Sequence, residues 1–237
     1  MATVSDLGER IADVRRRVAD AATHAGRSPS DVRVLLATKT LPDDVVRAAV
    51  LAGGALIGEN RVQELVAHAG AVADLRPEVH LIGHLQSNKV TAAVHPERPF
   101  VSCVESVDGL ALAERLSRRC ADLGRDLDVM VQVNVSGEAT KSGVAPQVAA
   151  DLAAQVAALP RLRLTGFMTI GLNSPDAAAV AAGYARLRQV RDVVVRDLPG
   201  ARELSMGMSG DLELAVAEGA TIVRVGTAVF GARPRFP

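Results

Sequence analysis

A lysine at the end of an apolar run is the first residue of this chain that could do chemistry. Residues 32–37 (VRVLLA) are followed at once by Thr38, Lys39 and Thr40, and then by a proline-containing turn. Such a run predicts a buried parallel strand, and parallel α/β folds bind ligands at the carboxyl ends of their strands. Lys39 is therefore either a reactive amine in a ligand site or a solvated residue that ends the strand.

Residues near the end of the chain are suited to holding an anion. Ser209 precedes the helical pattern DLELAVAE, and Gly226 and Thr227 follow the apolar run TIVRV. A helix starting at Ser209 would offer its hydroxyl and free backbone N–H groups, Gly226 would allow close backbone approach, and Thr227 would add an N–H and a hydroxyl. Each residue alone could be only a cap or a turn residue. With a lysine at an adjacent strand end, the set favours a phosphorylated aldehyde bound to Lys39 as a Schiff base.

The elements that would position these residues are strands and helices in alternation. The predicted strands are VRVLLATK, ALIGEN, VHLIGHLQ, FVSCVES, LDVMVQVNV, RLRLTGFMTI, ELSMGMS and TIVRVGTAVFGA. Alternation predicts a parallel sheet, and about eight βα units in 237 residues predict a single (β/α)8 TIM barrel, with an open doubly wound sheet as the alternative. Barrel closure would put the first strand beside the eighth, so that Lys39 and residues 224–227 share a pocket.

An amphipathic helix precedes the first predicted strand. Apolar residues recur there at spacings of three and four, and a glycine can end the helix: Val4, Leu7, Ile11, Val14, Val18 and Gly26. No linker or change of composition divides the chain. The sequence predicts one domain over residues 1–237, in which residues 1–26 form an extra helix packed on the barrel.

The composition argues against several classes of partner. Lys+Arg and Asp+Glu both number 27, so neither nucleic acid nor an anionic membrane is expected as a partner. Aromatic residues make up 2% of the chain and Trp is absent, which argues against stacking on bases. The apolar runs are too short to span a bilayer and the N-terminus lacks a secretory signal, so a cytoplasmic location is predicted.

The cysteine and histidine spacings predict no metal site. Cys103 and Cys120 form no CxxC motif and are interpreted as two buried thiols in a reducing compartment. His80 and His84 both fall on the predicted strand VHLIGHLQ, where the rise per residue separates them too far to bind one ion.

Six segments of the sequence resemble the motifs of the YggS/PROSC family of pyridoxal 5′-phosphate (PLP) homeostasis proteins. They occur in order between about residues 32 and 235: ATKTLP, GENRVQE, HLIGHLQSNK, VNVSGEATKSG, GFMTI and ELSMGMSGDLELAVAEGATIVRVGTAVFGAR. The resemblance implies a single barrel similar to the N-terminal domain of alanine racemase, with PLP as its cofactor and no established catalytic turnover.

The resemblance also implies roles for individual residues. Lys39 would carry PLP as a Schiff base, the phosphate would be held by Ser209, Gly226 and Thr227, and Arg224 would face the pyridine nitrogen. A guanidinium can only donate hydrogen bonds, so it disfavours a protonated ring nitrogen and makes the ring a weaker electron sink. Such a site suits holding PLP better than broad amino-acid chemistry.

Three further residues have two interpretations or depart from the family pattern. Asn60 follows Glu59 at the end of the second predicted strand and could line the pocket, although a polar pair there is common without function. Lys141, after the fifth strand, is either a solvated residue or a second lysine that exchanges PLP with Lys39. Arg61 stands where many family members are expected to have an aromatic residue.

Racemisation is poorly supported. It needs an acid or base on each face of the substrate α-carbon, and alanine racemase takes one of them, a tyrosine, from an extra β-domain. The only tyrosine here, Tyr184, falls in the middle of a long predicted helix, and the chain ends at Pro237. The prediction is a monomeric, non-catalytic PLP-binding protein that serves PLP homeostasis and supplies PLP-dependent apoenzymes. A PLP-dependent racemase-like enzyme, or an aldolase acting on a sugar phosphate, is the alternative.

Overall fold

Eight parallel strands close into a barrel in the computed structural model, which describes residues 3–95, 101–138 and 140–231. The strands follow the sequence order around the barrel, and the first is hydrogen-bonded to the eighth. They are β1 (Arg33–Ala37), β2 (Leu56–Glu59), β3 (Glu78–Leu81), β4 (Val101–Val107), β5 (Leu127–Gln132), β6 (Leu162–Met168), β7 (Glu203–Met208) and β8 (Ile222–Val225). The predicted (β/α)8 barrel is confirmed, and the open sheet is excluded.

Helices connect the strands and surround the barrel. They are α1 (Val4–His24), α2 (Asp43–Leu51), α3 (Val62–Val72), α4 (Val90–Ala93), α5 (Leu110–Asp122), α6 (Ala149–Ala157), α7 (Ala177–Val194), α8 (Leu212–Ala217) and α9 (Thr227–Phe230). Short 3₁₀ turns lie at Pro29–Asp31, Ser87–Lys89 and Pro146–Val148. Within the described ranges, no helix combines the length and the apolarity needed to cross a lipid bilayer.

The apolar core has an outer and an inner part. The larger cluster packs the helices onto the outside of the strands. The smaller cluster takes one residue from each of six strands: Leu35, Leu56, Cys103, Met130, Met168 and Ile222. Because these residues come from different strands of a closed barrel, they fill its interior, as layers of side chains do in this fold.

The amino-terminal helix α1 packs beside α8 and α9. Thr3 caps α1, because its hydroxyl accepts from the Asp6 N–H at 3.1 Å while the Asp6 carboxylate accepts from the Thr3 N–H at 2.9 Å. The apolar face of α1 is buried against its neighbours through Leu7, Ile11, Val14, Val18 and Ala22. The Arg10 guanidinium donates to the Val229 carbonyl at 3.0 Å, which ties α1 to α9.

Two predicted strands run well past the ends of the observed strands. β3 ends at Leu81, so the prediction that His84 lies on a strand is wrong; the chain turns away at Gly83, where a Cβ would lie only 2.0 Å from the Asn60 carbonyl oxygen. The final predicted strand divides at Gly226 into β8 and α9. Parts of three predicted elements lie outside the described residues. They are the start of the fourth strand (within residues 96–100), the end of the eighth strand (within residues 232–237) and residues 1–2 of the first helical segment.

Close contact between β6 and β7 predicts that Gly166 cannot be enlarged. A Cβ at this position would lie 2.0 Å from the Glu203 carbonyl oxygen of the paired strand. We expect Gly166→Ala to lower the free energy of unfolding by about 1–3 kcal/mol or more in urea titrations, because backbone atoms would have to move.

Gly8 provides the matched control. It lies in α1, and a Cβ there would meet no atom within 4 Å. Gly8→Ala should stabilise the protein by about 0.5–1 kcal/mol, since alanine has the higher helix propensity. Equal effects of the two substitutions would contradict the steric argument.

Candidate functional site

The six predicted site residues line one cavity of about 560 Å³ at the carboxyl ends of the strands. They are Lys39, Asn60, Ser209, Arg224, Gly226 and Thr227. They follow or belong to β1, β2, β7 and β8, and the pairing of β1 with β8 brings the first and last of these strands together. The predicted sharing of one pocket by Lys39 and the Arg224 to Thr227 turn is confirmed for Arg224, Gly226 and Thr227, which line the cavity with Lys39.

Lys39 lies in a tight turn just after β1. The turn is closed by a hydrogen bond from the Leu41 N–H to the Thr38 carbonyl at 3.2 Å. Thr40 has φ of 62°, a left-handed conformation that is uncommon for a β-branched residue. The turn directs the chain into α2 and leaves the half-buried Lys39 among the residues that line the cavity.

Ser209 is joined to the start of α9, not α8. Its hydroxyl oxygen accepts hydrogen bonds from the Gly226 N–H at 3.3 Å and the Ala228 N–H at 3.2 Å. The prediction that Ser209 starts the following helix is wrong, because Asp211 is the N-cap of α8 and its carboxylate accepts from the Met208 N–H at 2.6 Å. Ser209 uses its hydroxyl oxygen as the acceptor in both of these hydrogen bonds, so its hydroxyl proton can be donated to a ligand in the cavity.

The start of α9 adds backbone donors to the same wall of the cavity. Gly226 is the N-cap of α9 and Thr227 is its first residue, so their N–H groups belong to the turn whose amides lack partners within the helix. A Cβ at Gly226 would come no closer than 3.5 Å to another residue, the Ala37 carbonyl oxygen. Protein packing therefore does not require glycine here, and the space that a Cβ would fill lies at the cavity wall.

Arg224 crosses the floor of the cavity and is buried. Its two terminal nitrogens donate to the Ser205 hydroxyl at 2.7 Å and to the Thr169 carbonyl at 2.6 Å. Burial lowers the pKa of Arg224, and the negative charge of Glu105 opposes that shift. The two hydrogen bonds thus hold the guanidinium in one orientation, and the negative charge of Glu105 balances its positive charge.

A buried chain of polar side chains supports Arg224 from the barrel interior. The Ser205 hydroxyl donates to Glu105 at 2.5 Å, and His80 contacts Glu105 at 2.6 Å and Glu78 at 2.8 Å. Ionised carboxylates only accept hydrogen bonds, so His80 donates from both ring nitrogens and is an imidazolium. Burial alone would lower the pKa of His80, but the hydrogen bonds to Glu105 and Glu78 outweigh it and raise the pKa to about 9.

Glu105 completes this balance of charge. Burial by itself would raise its pKa, but the hydrogen bond from His80 and the charges of His80 and Arg224 hold the pKa below its usual value. Sequence reasoning did not find this network. The available signal was a glutamate and a histidine within apolar strand-like runs, FVSCVES and VHLIG, where a charged residue needs a buried partner.

Sequence reasoning also missed Gln132, which lines the cavity. Gln132 at the end of β5 donates from its side chain to the Ser142 carbonyl at 3.1 Å, while its buried amide oxygen has no hydrogen-bond partner among the described residues. A buried acceptor without a partner is costly unless a ligand supplies a donor. Arg61, His84 and Met208 line the cavity as well.

Lys141 and Tyr184 lie outside the lining of this cavity. Lys141 lines an adjacent cavity of about 410 Å³, and its amine donates to the Glu138 carboxylate at 2.6 Å and the Gly171 carbonyl at 2.9 Å. Tyr184 is buried in α7, and its hydroxyl donates to Asp211 at 2.8 Å. Across the described part of the chain, no group of three or more His, Cys, Asp or Glu side chains could hold a metal ion.

Comparison with known families defines the class of this barrel. The family described as "Alanine racemase, N-terminal domain" matches residues 11–234. The solved alanine racemase of Corynebacterium glutamicum shares the fold with a TM-score of 0.74 at 14% identity, covering 99% of this chain and 63% of that one. The barrel is therefore of the alanine racemase N-terminal type.

Closer relatives define the family within this class. The chain is 46% identical over 231 residues to the pyridoxal phosphate homeostasis protein of Pseudomonas aeruginosa, with 97% of each chain covered. It also resembles the solved structure of PipY of Synechococcus elongatus with PLP bound, with a TM-score of 0.80 and 36% identity over 95% of this chain and 100% of that one. The chain belongs to the family of pyridoxal phosphate homeostasis proteins.

Removing the charge of Glu105 should destabilise the barrel. Glu105→Gln keeps the shape of the side chain but leaves the buried charges of His80 and Arg224 without their common partner. We expect a loss of about 3–5 kcal/mol in the free energy of unfolding. Glu213→Gln is the control, because Glu213 forms a half-exposed pair with Arg17, and it should cost at most about 1 kcal/mol. Similar losses in both variants would contradict a special role for Glu105.

The charge of His80 should make stability depend on pH above neutrality. Because the pKa of His80 is raised from 6.5 to about 9, its contribution is fully present below about pH 6.5 and is lost as pH rises through about 9. Between these values the free energy of unfolding should fall by up to about 1.4 kcal/mol per pH unit. His80→Gln should flatten this slope in urea titrations at several pH values; an unchanged slope would contradict the assignment.

Proposed function

We propose that this protein binds PLP as a Schiff base on Lys39 and takes part in intracellular PLP homeostasis without catalysing a reaction of its own. The observation that carries the proposal is the single cavity that contains an amine, a cluster of hydroxyl and backbone N–H donors, and a buried guanidinium. These three groups match the aldehyde, the phosphate and the ring nitrogen of PLP.

The residues present fit each part of this cofactor. Lys39 supplies the primary amine that condenses with an aldehyde, with loss of water. Ser209 and Thr227 would hold the phosphate through their hydroxyl groups and the Thr227 N–H, and Gly226, whose own N–H donates to Ser209, would let the phosphate approach the backbone closely. The Gln132 amide oxygen, which lacks a partner among the described residues, offers a further acceptor.

The surroundings of Arg224 favour holding PLP over catalysis. When bound, PLP supplies a ring that can withdraw electrons from an attached carbon, and that ability is greatest when the ring nitrogen is protonated. Arg224 is held by Ser205 and Thr169 and can only donate hydrogen bonds, so it would face an unprotonated nitrogen. Tyr184 is engaged by Asp211, and it would not serve as the second acid or base that racemisation requires.

The proposal extends to the domain organisation, the oligomeric state and the recipients of PLP. The whole chain would act as one barrel domain and as a monomer, and PLP-dependent apoenzymes would receive PLP from it. Cys103 and Cys120 are buried free thiols, which suits the reducing conditions of a cytoplasmic location.

Covalent trapping tests the attachment site. The protein incubated with PLP should show a visible absorption band, and borohydride should fix a pyridoxyl phosphate group on Lys39, located by peptide mass mapping. The chain has three lysines, so the assignment is unambiguous. Lys39→Ala should lose the band and the label, whereas Lys89→Ala should keep both.

Two outcomes would overturn the proposal. A wild-type protein that takes up no PLP, or a label that persists in Lys39→Ala, would contradict binding at Lys39. Robust interconversion of amino-acid enantiomers by the PLP-loaded protein would contradict the non-catalytic assignment.

A further inference from the structure

A buried carboxylate lies directly behind the turn that carries Lys39. Glu59, at the end of β2, is 1% exposed. One of its oxygens accepts from the Thr38 hydroxyl at 2.6 Å and from His68 at 2.7 Å, while the other is buried and has no hydrogen-bond partner among the described residues. A buried charge is costly unless it is paired, so this carboxylate depends on the positive charge of a neighbour.

His68 supplies that charge and reaches the other side of the same turn. Its Nδ1 atom contacts Glu59, and its Nε2 atom lies 3.0 Å from the Leu41 carbonyl oxygen. Both contacts are acceptors, so both ring nitrogens must donate and His68 is an imidazolium. The hydrogen bond to Glu59 raises the pKa of His68 above its ordinary value despite burial.

The two contacts bracket Lys39 in the chain. Thr38 precedes the lysine and is held by Glu59; Leu41 follows it and is held by His68. Between them Thr40 has a left-handed conformation that persists only when its surroundings enforce it. A neutral imidazole donates from one nitrogen only, so it cannot hold both Glu59 and the Leu41 carbonyl.

The charged groups that face His68 from the neighbouring elements are both acidic. Glu59 faces it from β2, and the Asp43 carboxylate at the start of α2 lies 3.8 Å from Nε2. Glu64 lies on α3, the same helix as His68. Its carboxylate accepts a hydrogen bond from the Thr40 N–H at 3.2 Å, which is a third hydrogen bond that holds the turn. The proton on His68 therefore controls one of the hydrogen bonds that fix the turn, and acidic neighbours favour that proton.

We propose that Glu59 and His68 are positioning residues for Lys39, and that loss of the His68 proton loosens the turn and speeds the release of PLP. This inference rests on the proposed function of Lys39. It makes retention of the cofactor depend on a proton held outside the cavity lining, so that release would respond to pH without any change in the residues that contact PLP.

Release of PLP to an excess of an apoenzyme trap, measured across pH 6 to 10, tests the inference. Wild-type protein should release PLP faster above the pKa of His68. His68→Gln should release it about tenfold faster than wild type at neutral pH, and with a flatter pH profile, because one charge-assisted hydrogen bond is lost. His24→Gln is the control, since His24 is an exposed histidine on α1 whose ring hydrogen-bonds to the Asp20 carbonyl of its own helix, and it should behave as wild type.

Asp43→Asn gives an independent variant that removes a charge near His68. Asp43 is exposed, so the fold should tolerate the change, and the midpoint of the pH profile should move to lower pH. Amide hydrogen exchange of the protein without PLP gives a second readout: protection of the Thr40 and Leu41 amides should fall with rising pH in wild type and be low at every pH in His68→Gln.

The outcomes separate this inference from the proposed function. If wild type carries PLP on Lys39 but His68→Gln and Asp43→Asn keep its pH profile and its amide protection, the inference is overturned and the function stands. If wild type carries no PLP on Lys39, the proposed function fails, whereas the pH-dependent protection of the turn would still identify the Glu59–His68 pair as the element that fixes it.

Discussion

The parallel pairing of β1 with β8 joins the beginning of the barrel to its end and builds the cavity between them. The register sets Leu36 opposite Val225, so that Ala37 and the lysine turn beyond it come alongside Gly226 and the start of α9. A reactive amine and a group of anion-binding donors, separated by most of the chain, are thus brought to one cavity by main-chain hydrogen bonds. Without this closure, Lys39 and the start of α9 would not line the same cavity.

Charged groups inside the barrel then orient the parts of the site. Glu105, paired with His80, lies beneath Arg224 through Ser205, while Glu59, paired with His68, lies behind the lysine turn. Buried ion pairs are a poor source of stability, since apolar residues of similar volume are often as good or better. Two such pairs next to one cavity are better explained by the geometry that they impose on Arg224 and on the turn that carries Lys39.

The two ends of the cavity present groups with different chemistry. At one end an amine suited to covalent capture of an aldehyde lies in a turn that several hydrogen bonds constrain. At the other, a guanidinium that only donates would leave a ring nitrogen unprotonated, which limits the stabilisation of a carbanion. Both features favour the retention of PLP that we propose over carbanion chemistry at the same site.

The sequence alone predicted the architecture and six of the residues that line the cavity. Apolar runs ending in turns marked the eight strands, since a strand buried on both faces has few polar residues, and the lysine after β1 was visible because it interrupts such a run. Local pattern failed where a run had two possible continuations: residues 226–230 extend the mostly apolar run of β8, and only Gly226 and the tertiary contacts decide that Thr227–Phe230 form α9. The charge networks were decided by tertiary structure alone. Glu105 and Ser205 are 100 residues apart, and Glu59 and His68 belong to different elements, so no local spacing could pair them. The role of a buried charged residue can be assigned only after the tertiary structure shows which residue it pairs with.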